Sequence, residues 1–338
     1  MHVSPRASRP TIHDVARVAG VSRGTVSRAL NGDAYVSAAA LAAVQRAVAE
    51  TGYVVNRAAR SLVTRQTGSV LMVLSEPQEK LFEDPNYSTL MRVAMRRLAE
   101  RDISLVMMLS GNDGDRDRVV RYVRGGHCDG VLLVTTHSGD PLLDELSRQH
   151  IPAVTCGEIP GGRHQVPFAA ADDRGGAQRV TQYLADSGRR RIATITGPLD
   201  TPGGLLRLEG FCDVLGRKAT KKLIAYGDWT RRSGELAMTE LLDRSPDIDA
   251  VFVGNDLMAA GALAALRAAG RRVPEDVAVA GFDDSSVAMS THPLLTTMRQ
   301  PLEQVAEETV RLLLELIDGA ENVDSVVLPT ELIVRESA

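Results

Sequence analysis

The sequence predicts a mixed α/β protein, with a small three-helix head followed by a large body of two lobes built on doubly wound parallel sheets. Within residues 1–65, apolar residues recur at helical spacing in several short segments. From Gly68 onward, apolar runs typical of buried strands alternate with helical stretches. The charge divides at the same place: residues 1–65 carry nine arginines and three acids, net +6, whereas the remainder carries −10.

Composition narrows the class of protein further. With 44% hydrophobic and 24% charged residues in 338, the chain is neither disordered, collagen-like nor a disulfide scaffold. Its three cysteines (Cys128, Cys156 and Cys212) are unclustered, so we expect reduced thiols and neither a metal site nor a cofactor. No apolar run reaches membrane-spanning length, and the amino terminus lacks a secretion signal, so a cytoplasmic protein is expected.

Three short helices are expected in the head. Thr11 caps the first, which ends at Gly20, and Ser22 caps the second. The third opens at Val36-Ser37 and ends at Gly52. Their shared core is expected to consist of Val15, Ala16, Val21, Val26, Leu30, Leu41, Val44 and Val48.

The tight turn between the first two helices predicts a helix-turn-helix, whose second helix enters the major groove of DNA. Arg23 and Arg28 would then read bases, because arginine pairs with the O6 and N7 acceptors of guanine. The alternative is a small helical bundle with exposed polar residues, which the net charge of +6 disfavours. Base and phosphate contacts are expected from Thr11, Ser22, Arg23, Gly24, Thr25, Ser27, Arg28, Asn31, Tyr53 and Asn56.

Eight strands are expected in the body. The body is too long for a single sheet of normal size, so we expect two lobes, the second starting near Ala169. They are predicted at 69–75, 103–110, 129–135, 152–157, 191–197, 222–228, 249–256 and 277–283. Polar residues follow several of these runs, including Glu76, His137, Glu158 and Asp283. Because ligands bind outside the carboxyl ends of parallel strands, the two rows of polar residues predict a cleft between the lobes.

Several motifs resemble the lactose/galactose repressor (LacI/GalR) family. They begin with TIHDVARVAGVSRGTVSRALNG and GYVVNRAARSLVTRQTGSV, and continue through DGVLLV, DDRGG, RRIATITGP, RLEGF, GDW, AVFVGNDLMAAGAL and RRVPEDVAVAGFDD. The resemblance implies a hinge helix that places Leu62 in the minor groove as an apolar wedge, flanked by Arg57 and Arg60. It implies a DNA-binding domain at 1–55, a hinge at 56–66, and an effector-binding and dimerisation domain at 67–338. Lobe 1 would comprise 67–168 and 298–324, and lobe 2 would comprise 169–297 and 325–338.

The same resemblance, which extends to periplasmic sugar-binding proteins, implies an effector pocket. Its matching positions are Arg207, Trp229, Asn255, Asp283 and Gln300. Their chemistry suits hydroxyl groups and the flat face of a sugar ring. Position along the chain adds Glu76, Phe82 and Tyr87 after the first strand, and Glu158, which adjoins a glycine where the family often has aspartate.

We therefore expect a homodimeric transcriptional repressor that a sugar or oligosaccharide releases from a palindromic operator. Within the family, the motifs look most similar to regulators that respond to cellobiose or related oligosaccharides. The alternatives are a purine or another metabolite as effector, an activator instead of a repressor, or a solute-binding protein for transport. Residues 11–65 argue against the transport protein. An enzyme is not expected, because we expect neither paired carboxylates at a reaction centre, nor a G-x-S-x-G nucleophile elbow, nor a phosphate loop such as GxxxxGK[ST].

Overall fold

A computed structural model describes residues 10–30, 35–54, 66–159 and 166–338. The chain divides into two compact units, the head at Met1–Thr67 and the body at Gly68–Ala338. No helix of the described residues is long and apolar enough to cross a membrane.

The head contains α1 (Ile12–Ala19), α2 (Arg23–Leu30) and α3 (Ala38–Thr51). The amide and hydroxyl of Thr11 donate to the Asp14 carboxylate, at 2.9 and 2.8 Å, and so hold the start of α1. The Ser22 hydroxyl accepts the amide of Thr25 at 3.1 Å, which caps α2.

The head core differs from the expected one at two places. Val15, Val26 and Val44 are buried as predicted. Leu41 was wrongly assigned, because it is 37% exposed, and Ala47, six residues later in α3, is buried instead. Tyr53 packs partly buried against this core, so much of its ring is committed to the head itself.

The body alternates strands and helices over its whole length. Its strands are β1 (Ser69–Leu74), β2 (Ser104–Leu109), β3 (Gly130–Val134), β4 (Ala153–Cys156), β5 (Phe168–Ala171), β6 (Ile192–Thr196), β7 (Ile224–Tyr226), β8 (Ala250–Val253), β9 (Ala278–Asp283), β10 (Thr296–Arg299), β11 (Val326–Leu328) and β12 (Glu331–Ile333). Its α-helices are α4 (Gln78–Glu83), α5 (Pro85–Ala99), α6 (Asp113–Arg124), α7 (Pro141–Arg148), α8 (Asp173–Asp186), α9 (Pro202–Leu215), α10 (Arg231–Arg244), α11 (Asp256–Ala268) and α12 (Leu302–Ile317).

The strands form two six-stranded sheets, one in each lobe. The first has the order β11-β5-β4-β3-β1-β2 and is parallel throughout. The second has the order β12-β10-β9-β8-β6-β7, in which only β12 runs antiparallel. Buried apolar clusters on both faces of each sheet explain why the central strands are continuous apolar runs.

The chain crosses between the lobes three times. The crossings lie after β5, after β10 and between β11 and β12, near residues 172, 300 and 329. Each falls a few residues later than the predicted lobe boundary, because these short strands still pair within the preceding sheet. Arg179 links two of the crossings, since its guanidinium donates to Asp172 Oδ2 at 3.3 Å and to Thr330 Oγ1 at 2.5 Å.

Candidate functional site

The recognition surface of the head lies on α2. Arg23, Gly24 and Arg28 are exposed on this helix, and Ser27 is half-buried beside them. The hydroxyl of Thr25 lies 2.9 Å from that of Ser22, so it helps to secure the start of the helix. The two arginines therefore have the freedom to reach a partner outside the head.

Part of the predicted DNA-contacting set lies outside the described residues. This applies to Asn31, Asn56, Arg57, Arg60 and Leu62, and to nearly all of the hinge segment at 56–66. Their assignment stays a prediction from the sequence.

The body contains a cavity of about 150 Å³ between its two lobes. Six of the nine predicted ligand residues line it, namely Tyr87, Arg207, Trp229, Asn255, Asp283 and Gln300. The lining also includes residues that the sequence reasoning missed, among them Asp84, Asn86, Cys156, Asp173, Thr201 and Leu302.

Arg207 is the central cation of the cavity. It projects from α9, and its Nε donates to Asp173 Oδ1 at 2.8 Å while Nη1 donates to the Gly254 carbonyl at 2.5 Å and lies 3.4 Å from Asp283 Oδ1. The guanidinium also stacks over the Phe282 ring, 3.8 Å from its centroid. Burial opposes the charge, but Asp173 and Asp283 outweigh it and raise the pKa of Arg207.

Asp283 joins the two lobes across the cavity. It is the last residue of β9 in lobe 2 and accepts hydrogen bonds from Gln300 Nε2 at 2.5 Å and from Asn86 Nδ2, on lobe 1, at 2.9 Å. Burial raises the pKa of the Asp283 carboxyl, although Arg207 and both amides act against that shift. A ligand that contacts both lobes at this point must replace the hydrogen bonds that Asn86 and Gln300 donate to the Asp283 carboxylate.

Asp84 is a second carboxylate at the same point of the cavity. It caps α5 by accepting the amide of Asn86 at 2.9 Å, and Pro85 occupies the first helical position. Burial, and then the negative charge of Asp283, raise the pKa of Asp84 to about 7. The carboxyl group of Asp84 is therefore about half protonated near pH 7.

Aromatic groups supply the flat surfaces of the cavity. Tyr87 lies on α5 with its hydroxyl 3.2 Å from Thr135 Oγ1, and burial is the main reason that its pKa is raised. Trp229, the single tryptophan, fits because Gly197 has no side chain: a Cβ there would lie 2.2 Å from the indole ring. Such rings pack well against the apolar face of a sugar.

Asn255 has a more structural role than expected. Its Oδ1 accepts the amide of Met258 at 2.9 Å and caps α11, and its Nδ2 donates to the Trp229 carbonyl at 3.1 Å. It thereby holds the loop that carries the indole. One amide hydrogen remains for another acceptor.

Of the six non-glycine residues with positive φ in the described chain, three line the cavity. Thr135, Trp229 and Asp283 have φ values of 54°, 76° and 119°, in a region that residues other than glycine seldom adopt. All three line the cavity. Strain held in place by the surrounding structure is typical of ligand-binding positions.

The structure does not bring three of the predicted ligand residues to the cavity. Phe82 is 78% exposed on α4, because the apolar face of that short helix is formed by Leu81. Glu158 is exposed, whereas its neighbour Gly157 lines the cavity. Glu76 is buried behind the cavity, where Lys80 Nζ lies 2.8 Å from its Oε2.

A separate contact between the lobes lies beside Glu76. The Nδ1 of His137 on lobe 1 is 2.8 Å from Asp200 Oδ2 on lobe 2, and its Nε2 is 3.1 Å from the Ser75 carbonyl. Both partners are acceptors, so both ring nitrogens donate only when the imidazole is a cation. The carboxylate of Glu76 lies 3.8 Å from Nε2 and adds favourable charge.

One apparent catalytic spacing is explained by the head. Gly20-Val21-Ser22-Arg23-Gly24 matches the G-x-S-x-G pattern of hydrolases. Here the serine hydroxyl caps α2, and the turn joins two helices instead of a strand and a helix. It therefore lacks the strained strand-to-helix turn that exposes a nucleophile.

A helix-turn-helix head and a two-lobed body with a polar interlobe cavity define a DNA-binding protein that responds to a small molecule. Residues 11–56 match the model of bacterial regulatory proteins of the lacI family, and residues 181–338 match a periplasmic binding protein-like domain. The HTH-type transcriptional regulator CelR of Thermobifida fusca is 47% identical over 98% of this chain and 99% of its own length. The chain belongs to the LacI family.

Solved structures agree with this assignment. A transcriptional regulator CelR–cellobiose complex is 44% identical, with a TM-score of 0.77 over 98% of this chain and 100% of that chain. A lac repressor dimer bound to operator and the anti-inducer ONPF has a TM-score of 0.84 at 27% identity, over 98% and 99% of the two chains. Members of the family are transcriptional regulators and not enzymes, so the predictions of fold class and of regulatory function are confirmed.

Proposed function

We propose that this protein is a homodimeric repressor that cellobiose, or a closely related β-linked glucose oligosaccharide, releases from a palindromic operator. The observation that carries the proposal is full-length similarity to CelR, at 47% identity, in a chain whose cavity offers an arginine, carboxylates, amides and an indole. Charge-assisted hydrogen bonds and a flat apolar face are what a pyranose ring requires. Action on DNA also implies a cytoplasmic location.

The head would read DNA through α2. Arg23 and Arg28 are the proposed base readers, because both are exposed on one short helix. The hinge at 56–66, with Leu62 as its wedge, belongs to the proposal on sequence resemblance alone, as do the boundaries of the head at 1–55 and the body at 67–338. A positively charged head predicts operator affinity that falls steeply with salt.

The cavity must widen to admit an oligosaccharide. Its volume of about 150 Å³ lies below the roughly 300 Å³ at which ligand pockets usually start. The bond from Asn86 to Asp283 spans it, so a ligand has to replace that bond. Exchange of an internal contact for a ligand contact would couple occupancy to the separation of the lobes.

A binding experiment tests the effector. Cellobiose, glucose, ribose, hypoxanthine and guanine are titrated separately while the fluorescence of Trp229, the single tryptophan, is followed. We expect a saturable change with cellobiose and none with the purines. A response confined to the purines would reject the sugar proposal.

A second experiment tests the link to DNA. An operator is selected from a random duplex library, and its complex with the protein is followed by gel shift with and without cellobiose. Cellobiose should release the wild type, and Arg207→Ala should stay bound. Leu62→Ala should lose operator affinity but retain the fluorescence response, and full operator binding by that variant would contradict the proposed hinge.

A further inference from the structure

The cavity carries more carboxylates than cations. Asp84, Asp173 and Asp283 all line it, whereas Arg207 is the only lysine or arginine that does so within the described ranges. The immediate surroundings of a ligand are therefore negative.

The available cations are already paired. Arg207 lies 2.8 Å from Asp173 and 3.4 Å from Asp283 and is stacked on Phe282, so its charge is satisfied before any ligand arrives. Lys80, at the edge of the cleft, lies 2.8 Å from the buried Glu76. An incoming anion would find no free ammonium or guanidinium among the described residues of the lining.

Asp84 is the carboxylate whose charge is least compensated. Its hydrogen bond comes from the backbone amide of Asn86, and no lysine or arginine of the described chain lies within ion-pair distance of it. The raised pKa of Asp84 agrees with this position, since the main causes are burial and the nearby Asp283. A second negative group brought close to Asp84 would be repelled in a partly desolvated site.

We propose that the cavity selects neutral glycosides and rejects sugars that carry a phosphate or a carboxylate, and that Asp84 is the residue that enforces this choice. The proposal rests on the proposed function, because it takes the interlobe cavity as the effector site. A neutral hydroxyl group can donate to an ionised Asp84 or accept from a protonated one, so a polyol is accommodated in either state. A ligand with a negative group can be accommodated only if Asp84 is protonated or if the negative group is held away from the Asp84 carboxylate.

Two matched ligands isolate the charge. Cellobiitol and cellobionate have the same open-chain skeleton and differ by a hydroxymethyl group in place of a carboxylate. Binding of each is measured by the fluorescence of Trp229 at pH 8, where Asp84 is mostly ionised. We expect wild-type protein to bind cellobiitol at least about tenfold more tightly, as one like-charge contact in a partly buried site implies.

Two variants and a change of pH test the role of Asp84. Asp84→Asn keeps the helix cap and the shape but removes the charge, so it should reduce the preference at least about threefold. At pH 6 the wild-type preference should shrink in the same direction, since Asp84 is then mostly protonated. Asp113→Asn removes a carboxylate that is 97% exposed and outside the cavity, and should leave the preference unchanged.

The outcomes separate the two proposals. Equal binding of cellobiitol and cellobionate to wild-type protein overturns the charge selection, and a preference that Asp84→Asn leaves intact overturns the role of that residue. If cellobiose binds but neither open-chain sugar does, the comparison is made between cellobiose and cellobiose 6′-phosphate. The same ratio of affinities is then expected, with the neutral sugar binding at least about tenfold more tightly. Failure of cellobiose itself rejects the proposed function and, with it, this inference.

Discussion

Replacing Asp84 by asparagine is expected to remove a pH-dependent part of the stability of the body. In the folded protein the pKa of Asp84 is raised to about 7 from an ordinary value of 3.8, by burial first and by Asp283 second. Between these two values the folded state keeps a proton that the unfolded chain releases. The free energy of unfolding therefore falls as pH rises through this window, and is constant above it.

The size of the effect follows from the two pKa values. A separation of about three pH units corresponds to about 4 kcal/mol at 1.36 kcal/mol per unit. The window from pH 5 to pH 7 contains about half of it, and because Asp84 borders a water-accessible cavity we halve that to about 1 kcal/mol. For a domain of this size, this corresponds to roughly 2–4 °C in melting temperature.

The assay is thermal or urea unfolding of wild type and Asp84→Asn in steps from pH 5 to pH 8. The variant should gain stability relative to wild type as pH rises, and the gain should level off above pH 7. Asp113→Asn is the control, because its carboxylate is exposed and its difference from wild type should stay nearly flat. Parallel profiles for wild type and Asp84→Asn would refute the reasoning, since they would mean that Asp84 ionises alike in both states.

Three further predictions concern the same body. Arg207→Ala leaves two buried carboxylates without their cationic partner, which typically lowers the free energy of unfolding by about 3–5 kcal/mol. Differential scanning fluorimetry should show a melting temperature about 10 °C lower, and an unchanged melting temperature would contradict the described ion pairs. Gly197→Ala places a Cβ 2.2 Å from the Trp229 ring, so the indole must move. The tryptophan fluorescence spectrum should shift and cellobiose affinity should fall at least about tenfold. A wild-type spectrum would show that the ring had not been displaced. His137→Gln removes the ring that lies 2.8 Å from Asp200 Oδ2 and 3.1 Å from the Ser75 carbonyl; because the Asp200 side chain is 54% exposed, cellobiose affinity should change by no more than about fivefold, and a larger loss in the fluorescence titration would contradict this weak, exposed contact.

The long elements and their order could be predicted from the sequence because their signals are local. The eight expected strands are all present. The central strands, such as β1 and β3, are apolar runs buried on both faces of a sheet, whereas the edge strands β2 and β7 are partly exposed. The capping residues Thr11, Ser22 and Ser37 likewise mark the starts of the head helices. The short strands β5 and β10 escaped notice because their residues, FAAA and TTMR, do not form a run of valine, isoleucine or leucine.

The cavity could be predicted only in part. Arg207, Trp229 and Asp283 follow from motifs, but Asp84 and Asn86 enter the site through the way α5 meets the other lobe. A local signal for Asp84 did exist, because an aspartate before proline is a common helix start. That signal predicts a cap and says nothing of a cavity, which is made by residues far apart in the chain.

The three crossings between the lobes restrict how the body can move. Three adjacent chain segments favour rotation of the lobes about a single hinge axis over rotation in several directions. Arg179 links two of these segments through its hydrogen bonds to Asp172 and Thr330. Gln300 lies at the remaining crossing, the one after β10, and donates to Asp283 in the cavity. A ligand that engages Asp283 therefore acts next to the axis, where a small displacement produces a large swing at the far ends of the lobes. The hinge, more than the chemistry of the effector, sets how many distinct shapes the sensor can take.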